Sequence, residues 1–111
     1  SSAIRVPMKE TGMAKTAAEC TTMMEIRENI DRVDSALMAL FAERWSFIGR
    51  AAEIKAGLGI PADVPERVRQ VRDNARRNAE ALGLDGAFYE EVWAQLIQRA
   101  IAYEKAQLGE A

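Results

Sequence analysis

The chain has 111 residues, a formal net charge of −2 and 29% charged residues, which fits one domain and excludes a general polyanion binder. It has no histidine, the commonest metal ligand, and its single cysteine, Cys20, excludes an intrachain disulfide and a cysteine-based metal cluster. No run of about 18 apolar residues and no basic-then-apolar leader occurs, so we expect a cytoplasmic protein without a membrane partner.

The first 20 residues show no sustained hydrophobic period, which predicts a flexible N-terminal arm over residues 1–20 and a helical domain over residues 21–111. Thr21 and Thr22 are candidate N-caps of a first helix. Glu25 follows Thr22 by three residues, which is the spacing of a capping box.

Residues 23–56 contain no proline and only one glycine, Gly49, and their apolar side chains recur in steps of three and four residues. The pattern predicts a helix of roughly 50 Å. A compact domain of this size has a radius of gyration of only about 13 Å. We therefore expect the helix to pack against a second copy of the chain, with a kink at Gly49 as the alternative.

Glycine and proline cluster in residues 57–65, which predicts a linker. A second helix is predicted over about residues 66–82, ending at Gly83, and a third over residues 86–108, capped by Asp85. The predicted class is all-α, with one long, one short and one medium helix. The residues expected to be buried by the second and third helices are Val68, Val71, Ala75, Leu82, Phe88, Val92, Trp93, Leu96, Ile97 and Ile101.

Three ionisable residues lie on helix faces that should be apolar. Arg44 and Lys55 are eleven residues apart, so they share one face of the first helix, about 20° apart in azimuth, and Glu104 lies on the apolar face of the third helix. No single opposite charge on those faces neutralises the two cations, and a lone buried charge costs several kcal/mol. The pattern indicates a pocket for an anion. The alternatives are basic side chains that extend from the edge of the face into water, and a solvated glutamate near a helix end.

Arg27 lies about 100° in azimuth from Arg44, so it cannot serve the same pocket on its own helix. In an antiparallel dimer of long helices it could reach the pocket of the partner, and the alternative is an exposed pair with Asp31. The second helix is rich in arginine, but acidic residues alternate with them, so we expect a solvated face and no nucleic-acid partner.

Several stretches resemble the all-helical (type II) chorismate mutases, and in places the isochorismate pyruvate lyase branch of that family. The spacing of Arg27, Arg44 and Lys55 matches the family motif. The mutase-like stretches are IRENIDRVD at 26–34, LFAER at 40–44 and IK at 54–55, and the lyase-like ones are KTAAECT at 15–21, PERV at 65–68 and AQLI at 94–97.

The resemblance implies an intertwined homodimer of three-helix chains that rearranges chorismate to prephenate without cofactor or metal. Arg27 of one chain and Arg44 of the other would bind the carboxylates of this dicarboxylate substrate. Lys55 would donate to the ether oxygen, and Glu104 aligns with the residue that donates the second hydrogen bond there. Arg67 aligns with a further substrate-binding arginine.

Two positions depart from the family pattern. Many mutases carry a glutamate that binds the substrate hydroxyl at the position of Val68. The lyase branch resembles this chain in having valine there. Glu104 stands where the lyase branch carries glutamine. The first interpretation is therefore a chorismate mutase, the second an isochorismate pyruvate lyase that forms salicylate and pyruvate, and the third a non-enzymatic helical dimerisation module.

Overall fold

The computed structural model describes residues 15–111. They form a short 3-10 helix, Ala17–Glu19, and three α-helices: α1 (Met23–Leu58), α2 (Pro65–Ala81) and α3 (Gly86–Leu108). No strand occurs in this part of the chain, so the predicted all-α class with a long, a short and a medium helix is confirmed. The arm predicted for residues 1–20 falls mostly outside the described residues. None of the described helices is long and apolar enough to cross a membrane.

The predicted capping box begins α1. The Glu25 backbone N–H donates to Thr22 Oγ1 at 3.1 Å, and Glu25 Oε1 accepts from the backbone N–H of Thr22 at 3.3 Å and of Thr21 at 2.7 Å. Lys15 also binds this carboxylate. The Lys15 hydrogen bond, followed by the Thr21 N–H, lowers the pKa of Glu25 to about 2. One side chain thus ties the segment before α1 to its first turn.

Helix ends follow local signals closely. Asp85 accepts a hydrogen bond from the Phe88 N–H at 3.2 Å, which caps the start of α3 as predicted. α2 ends at Ala81, just before Gly83, and α1 extends two residues beyond its predicted end, to Leu58. Only residues 59–64 therefore link α1 to α2.

The chain divides into two compact units, the first ending at Trp45 and the second being Ser46–Ala111. Within the second unit α2 and α3 pack together. All buried apolar residues found in residues 15–111 belong to this unit, and all but one are alanines: Ala52, Ala62, Ala75, Ala79, Ile97 and Ala100. Small side chains allow close approach of backbones but bury little apolar area each.

Two arginines of α2 bind one glutamate of α3. Arg76 Nε lies 2.8 Å from Glu90 Oε1, and Arg72 Nε lies 3.1 Å from Glu90 Oε2. The hydrogen bond from Arg76 is the main cause that lowers the pKa of Glu90. The prediction of a solvated arginine-rich face on α2 was therefore wrong for part of that face, because Arg72 and Arg76 contact α3.

Among residues 15–111, the apolar face predicted for α1 is largely exposed. Its exposed members include Ile30, Val33, Leu37, Leu40 and Ile54. Two residues predicted to be buried, Leu82 and Phe88, are more than half exposed, so those predictions were wrong for the single chain. Leu82 is the first residue after α2, where the helix has ended. Phe88, in the first turn of α3, packs edge-on against Tyr89, with the two ring centroids 4.9 Å apart.

Candidate active site

Lys55 and Glu104 form an ion pair inside the second unit. Lys55 Nζ lies 2.7 Å from Glu104 Oε1, although the two residues are 49 positions apart in the sequence. The side chain of Glu104 is 6% exposed and that of Lys55 is 20% exposed. The opposite charge that the apolar face of α1 did not provide for Lys55 therefore comes from α3.

After α1 ends, the chain folds back toward Lys55. Gly59 has a φ of 72°, a left-handed conformation that favours glycine, and the Ile60 N–H donates to the Lys55 carbonyl at 3.0 Å. The linker then places the carbonyl of Ala62 2.9 Å from Lys55 Nζ. Among the described residues, two of the three ammonium donors of Lys55 are thus engaged, and both partners are oxygen acceptors.

A shallow pocket of about 350 Å³ opens beside this pair. Its walls come from the end of α1, the linker and the end of α3, and they include Lys55, Ile60, Leu108 and Glu110. A larger groove of about 490 Å³ runs along α2, but it contains neither Lys55 nor Glu104 and it mixes acidic and basic side chains. We locate the candidate site at the smaller pocket because Lys55, one partner of the ion pair, lines it.

The remaining predicted site residues are Arg27, Arg44, Arg67 and Val68. Arg27 is exposed and Arg44 half-buried, and both belong to the first unit. Arg67 is exposed on α2, where it donates to Gln70 Oε1 at 2.6 Å and lines the larger groove, and Val68 is half-buried. Within the second unit the structure therefore brings Lys55 and Glu104 together, whereas Arg67 contacts its own helix.

Sequence reasoning missed two contributors to the site. Ala62 offers only its backbone carbonyl to Lys55, and Glu110 accepts a hydrogen bond from the Ala62 N–H at 3.2 Å. A backbone group carries no residue-type signal. Glu110 follows a glycine that ends a helix, and that position alone points to no partner.

The arrangement can present a cationic donor to an anionic or developing negative oxygen. The ammonium of Lys55 donates hydrogen bonds to Glu104 and to the Ala62 carbonyl, and the Lys55 side chain is mostly shielded from water. Its position is therefore preorganised. The Glu104 carboxylate accepts in the ion pair and can donate only when it is protonated. No group of three or more metal-ligating side chains was found among residues 15–111.

Comparisons with known proteins give one family and several relatives. Residues 26–105 match the chorismate mutase type II family. Over 89 residues the chain is 39% identical to the isochorismate pyruvate lyase of Pseudomonas aeruginosa, covering 79% of this chain and 86% of that protein. It is 35% identical over 88 residues to a chorismate mutase of Methanocaldococcus jannaschii, covering 79% of this chain and 89% of that one.

A third relative is larger. Over 79 residues the chain is 34% identical to the T-protein of Enterobacter agglomerans. This alignment covers 71% of this chain but only 21% of that protein. The family match includes both Lys55 and Glu104 and most of the described chain. This chain therefore belongs to the chorismate mutase type II family.

Proposed function

We propose that the chain is a chorismate mutase that rearranges chorismate to prephenate at the pocket lined by Lys55. The observation that carries the proposal is the half-buried side chain of Lys55, whose ammonium is held by Glu104 and by the Ala62 carbonyl in a member of this family. The rearrangement is intramolecular and pericyclic. It requires a compact substrate conformation and a donor at the ether oxygen, with neither a nucleophile nor a cofactor.

Lys55 and Glu104 take the catalytic roles in this proposal. Lys55 donates a hydrogen bond to the ether oxygen of chorismate, where negative charge develops as the C–O bond breaks. Glu104, whose carboxylate accepts from Lys55 in the ion pair, donates the second hydrogen bond to the same oxygen, which it can do only when it carries a proton. The support is that the two side chains lie beside each other, with Lys55 Nζ 2.7 Å from Glu104 Oε1.

Three arginines bind the two substrate carboxylates in the proposed complex, namely Arg27, Arg44 and Arg67. A planar guanidinium pairs with a carboxylate through two parallel hydrogen bonds, which fixes orientation as well as charge. Arg27 and Arg67 are exposed in the single chain and so accessible to a ligand. Val68, one residue after Arg67, lines the substrate site in place of the glutamate common in mutases.

The direct test is incubation of the protein with chorismate, with prephenate as the measured product. Lys55→Ala should abolish most activity because it removes the donor to the ether oxygen. Arg50→Ala is the matched control, since Arg50 is a basic residue on the same helix whose side chain is 68% exposed. Wild-type protein that forms no prephenate, or a Lys55→Ala variant as active as Arg50→Ala, would contradict the proposal.

An isochorismate pyruvate lyase is the second candidate. It is favoured by the 39% identity to the Pseudomonas aeruginosa lyase, against 35% for the Methanocaldococcus jannaschii mutase, and by Val68. Both reactions are pericyclic and use an anionic substrate of similar shape. Incubation with isochorismate, followed by measurement of salicylate and pyruvate, separates the two candidates by their products.

We also propose that the chain forms a homodimer through α1. The support is the row of exposed apolar side chains on this helix, which a soluble monomer would leave in water: Ile30, Val33, Leu37, Leu40, Phe47 and Ile54. Sedimentation should give twice the mass of the chain at micromolar concentration. A folded monomer under those conditions would contradict the proposal.

A non-enzymatic dimerisation module is the third interpretation. Such a module needs no anion site, so dicarboxylates that resemble the substrate should not raise its melting temperature, whereas they should stabilise an enzyme that binds them. We further propose a cytoplasmic location. A chain with one cysteine, and so without an intrachain disulfide, is compatible with that location.

A further inference from the structure

Glu110 makes a contact that joins the C-terminal end of α3 to the linker beside the site. Its Oε2 accepts a hydrogen bond from the backbone N–H of Ala62 at 3.2 Å, across 48 residues of sequence. Glu110 lies beyond residues 26–105, which match the family. It also lines the pocket that contains Lys55.

The end of α3 directs Glu110 toward the linker. Gly109 has a φ of 74°, in the left-handed region, and the Glu110 N–H donates to the Lys105 carbonyl at 2.9 Å. The Gly109 N–H donates to the Ala106 carbonyl at 3.4 Å. These two bonds form a Schellman motif, which reverses the chain and fixes the backbone from which the Glu110 side chain extends.

Ala62 links this glutamate to the catalytic pair. Only 3% of Ala62 is exposed, and both of its backbone polar groups are hydrogen-bonded. Its N–H donates to Glu110, and its carbonyl accepts from Lys55 Nζ at 2.9 Å. Displacement of the Ala62 backbone would therefore remove one of the two contacts that orient the Lys55 ammonium.

We propose that Glu110 is a positioning residue, which holds Ala62 in place so that the Ala62 carbonyl and Glu104 together fix the ammonium of Lys55. The role of Lys55 in turnover rests on the proposed function. Glu110 itself does not touch the reacting atoms. A residue that acts in this way affects the transition state through Lys55, so its loss should lower kcat more than it changes KM.

The test compares Glu110→Ala with Glu110→Gln. The amide of glutamine keeps an oxygen acceptor for the Ala62 N–H, so Glu110→Gln should stay close to wild type. Glu110→Ala should speed hydrogen exchange at the Ala62 amide and lower kcat by about threefold to tenfold, as expected for one modest hydrogen bond. Glu53→Ala, which removes an exposed carboxylate whose side chain is 68% exposed, controls for the change in net charge.

Two results would overturn the positioning role in an active enzyme. One is an unchanged exchange rate at Ala62 in Glu110→Ala, which would mean that the contact does not hold the linker. The other is faster exchange with full kcat, which would mean that the linker does not position Lys55. Wild-type protein inert toward both chorismate and isochorismate would instead refute the proposed function, so the two failures are distinguishable.

Discussion

Removing one partner of the Lys55–Glu104 pair should cost far more stability than removing one partner of an exposed pair of the same length. Arg50 Nη1 and Glu53 Oε1 also lie 2.7 Å apart, but both side chains are 68% exposed, against 20% and 6% for Lys55 and Glu104. The two pairs have the same length but differ in burial, and Lys55 also donates to the Ala62 carbonyl. Comparison of Lys55→Ala with Arg50→Ala therefore measures the cost of breaking the less exposed site.

The expected costs follow from what each substitution leaves behind. Lys55→Ala leaves the buried Glu104 carboxylate without its partner, which typically costs about 3–5 kcal/mol. Because Lys55 is partly exposed, we expect a cost of about 3 kcal/mol. Arg50→Ala leaves Glu53 in water and should cost about 0.5 kcal/mol or less. Replacing both buried partners, as Lys55→Met with Glu104→Leu, should cost less than Lys55→Ala alone because no buried charge remains.

Urea unfolding followed by circular dichroism measures these differences. The protein concentration must be the same for all variants, because dimer formation would make the free energy of unfolding depend on it. The dependence of that free energy on urea should be the same for the two single variants, which would show that the same surface is exposed on unfolding. Equal free-energy losses in Lys55→Ala and Arg50→Ala, within about 0.5 kcal/mol, would refute the importance of burial.

Three further predictions concern pH, catalysis and assembly. Lys15 and backbone N–H groups lower the pKa of Glu25 from 4.5 to about 2, so the contribution of Glu25 to stability is complete above pH 4.5 and is lost as the pH falls toward 2. The difference in melting temperature between wild type and Glu25→Gln should therefore shrink as the pH falls through that range, and a constant difference would contradict this. Glu104→Gln keeps a side chain that can donate to the ether oxygen and should stay active, whereas Glu104→Leu removes that donor and should lose most of its activity; equal rates for the two folded variants would remove Glu104 from the mechanism. Mixing Arg27→Ala with Arg44→Ala chains should restore one intact site per mixed dimer, and inactivity of demonstrated mixed dimers would show that Arg27 does not act in the partner's site.

Most of the helical architecture of this chain was predictable from local sequence. The capping box of Thr22 and Glu25, the Asp85 cap and the glycines after the helices act through hydrogen bonds between residues a few positions apart. Such signals do not depend on the rest of the fold. They located the start of α1 and both ends of α3 correctly, and the remaining helix ends to within two residues.

The contacts around the candidate site depend on the tertiary structure. The sequence alone marked Lys55 and Glu104 as charges on apolar faces, but the pairing of the two ions required the end of α1 to meet α3. The Ala62 backbone contacts both Lys55 and the Glu110 side chain. These contacts form only because left-handed glycines, Gly59 after α1 and Gly109 after α3, turn the chain back. Hydrophobic periodicity reports which face of a helix is apolar and carries no information on which neighbour covers it. The sequence therefore determined the helices and the unusual charges, and packing across 49 residues of chain decided which of those charges share a site.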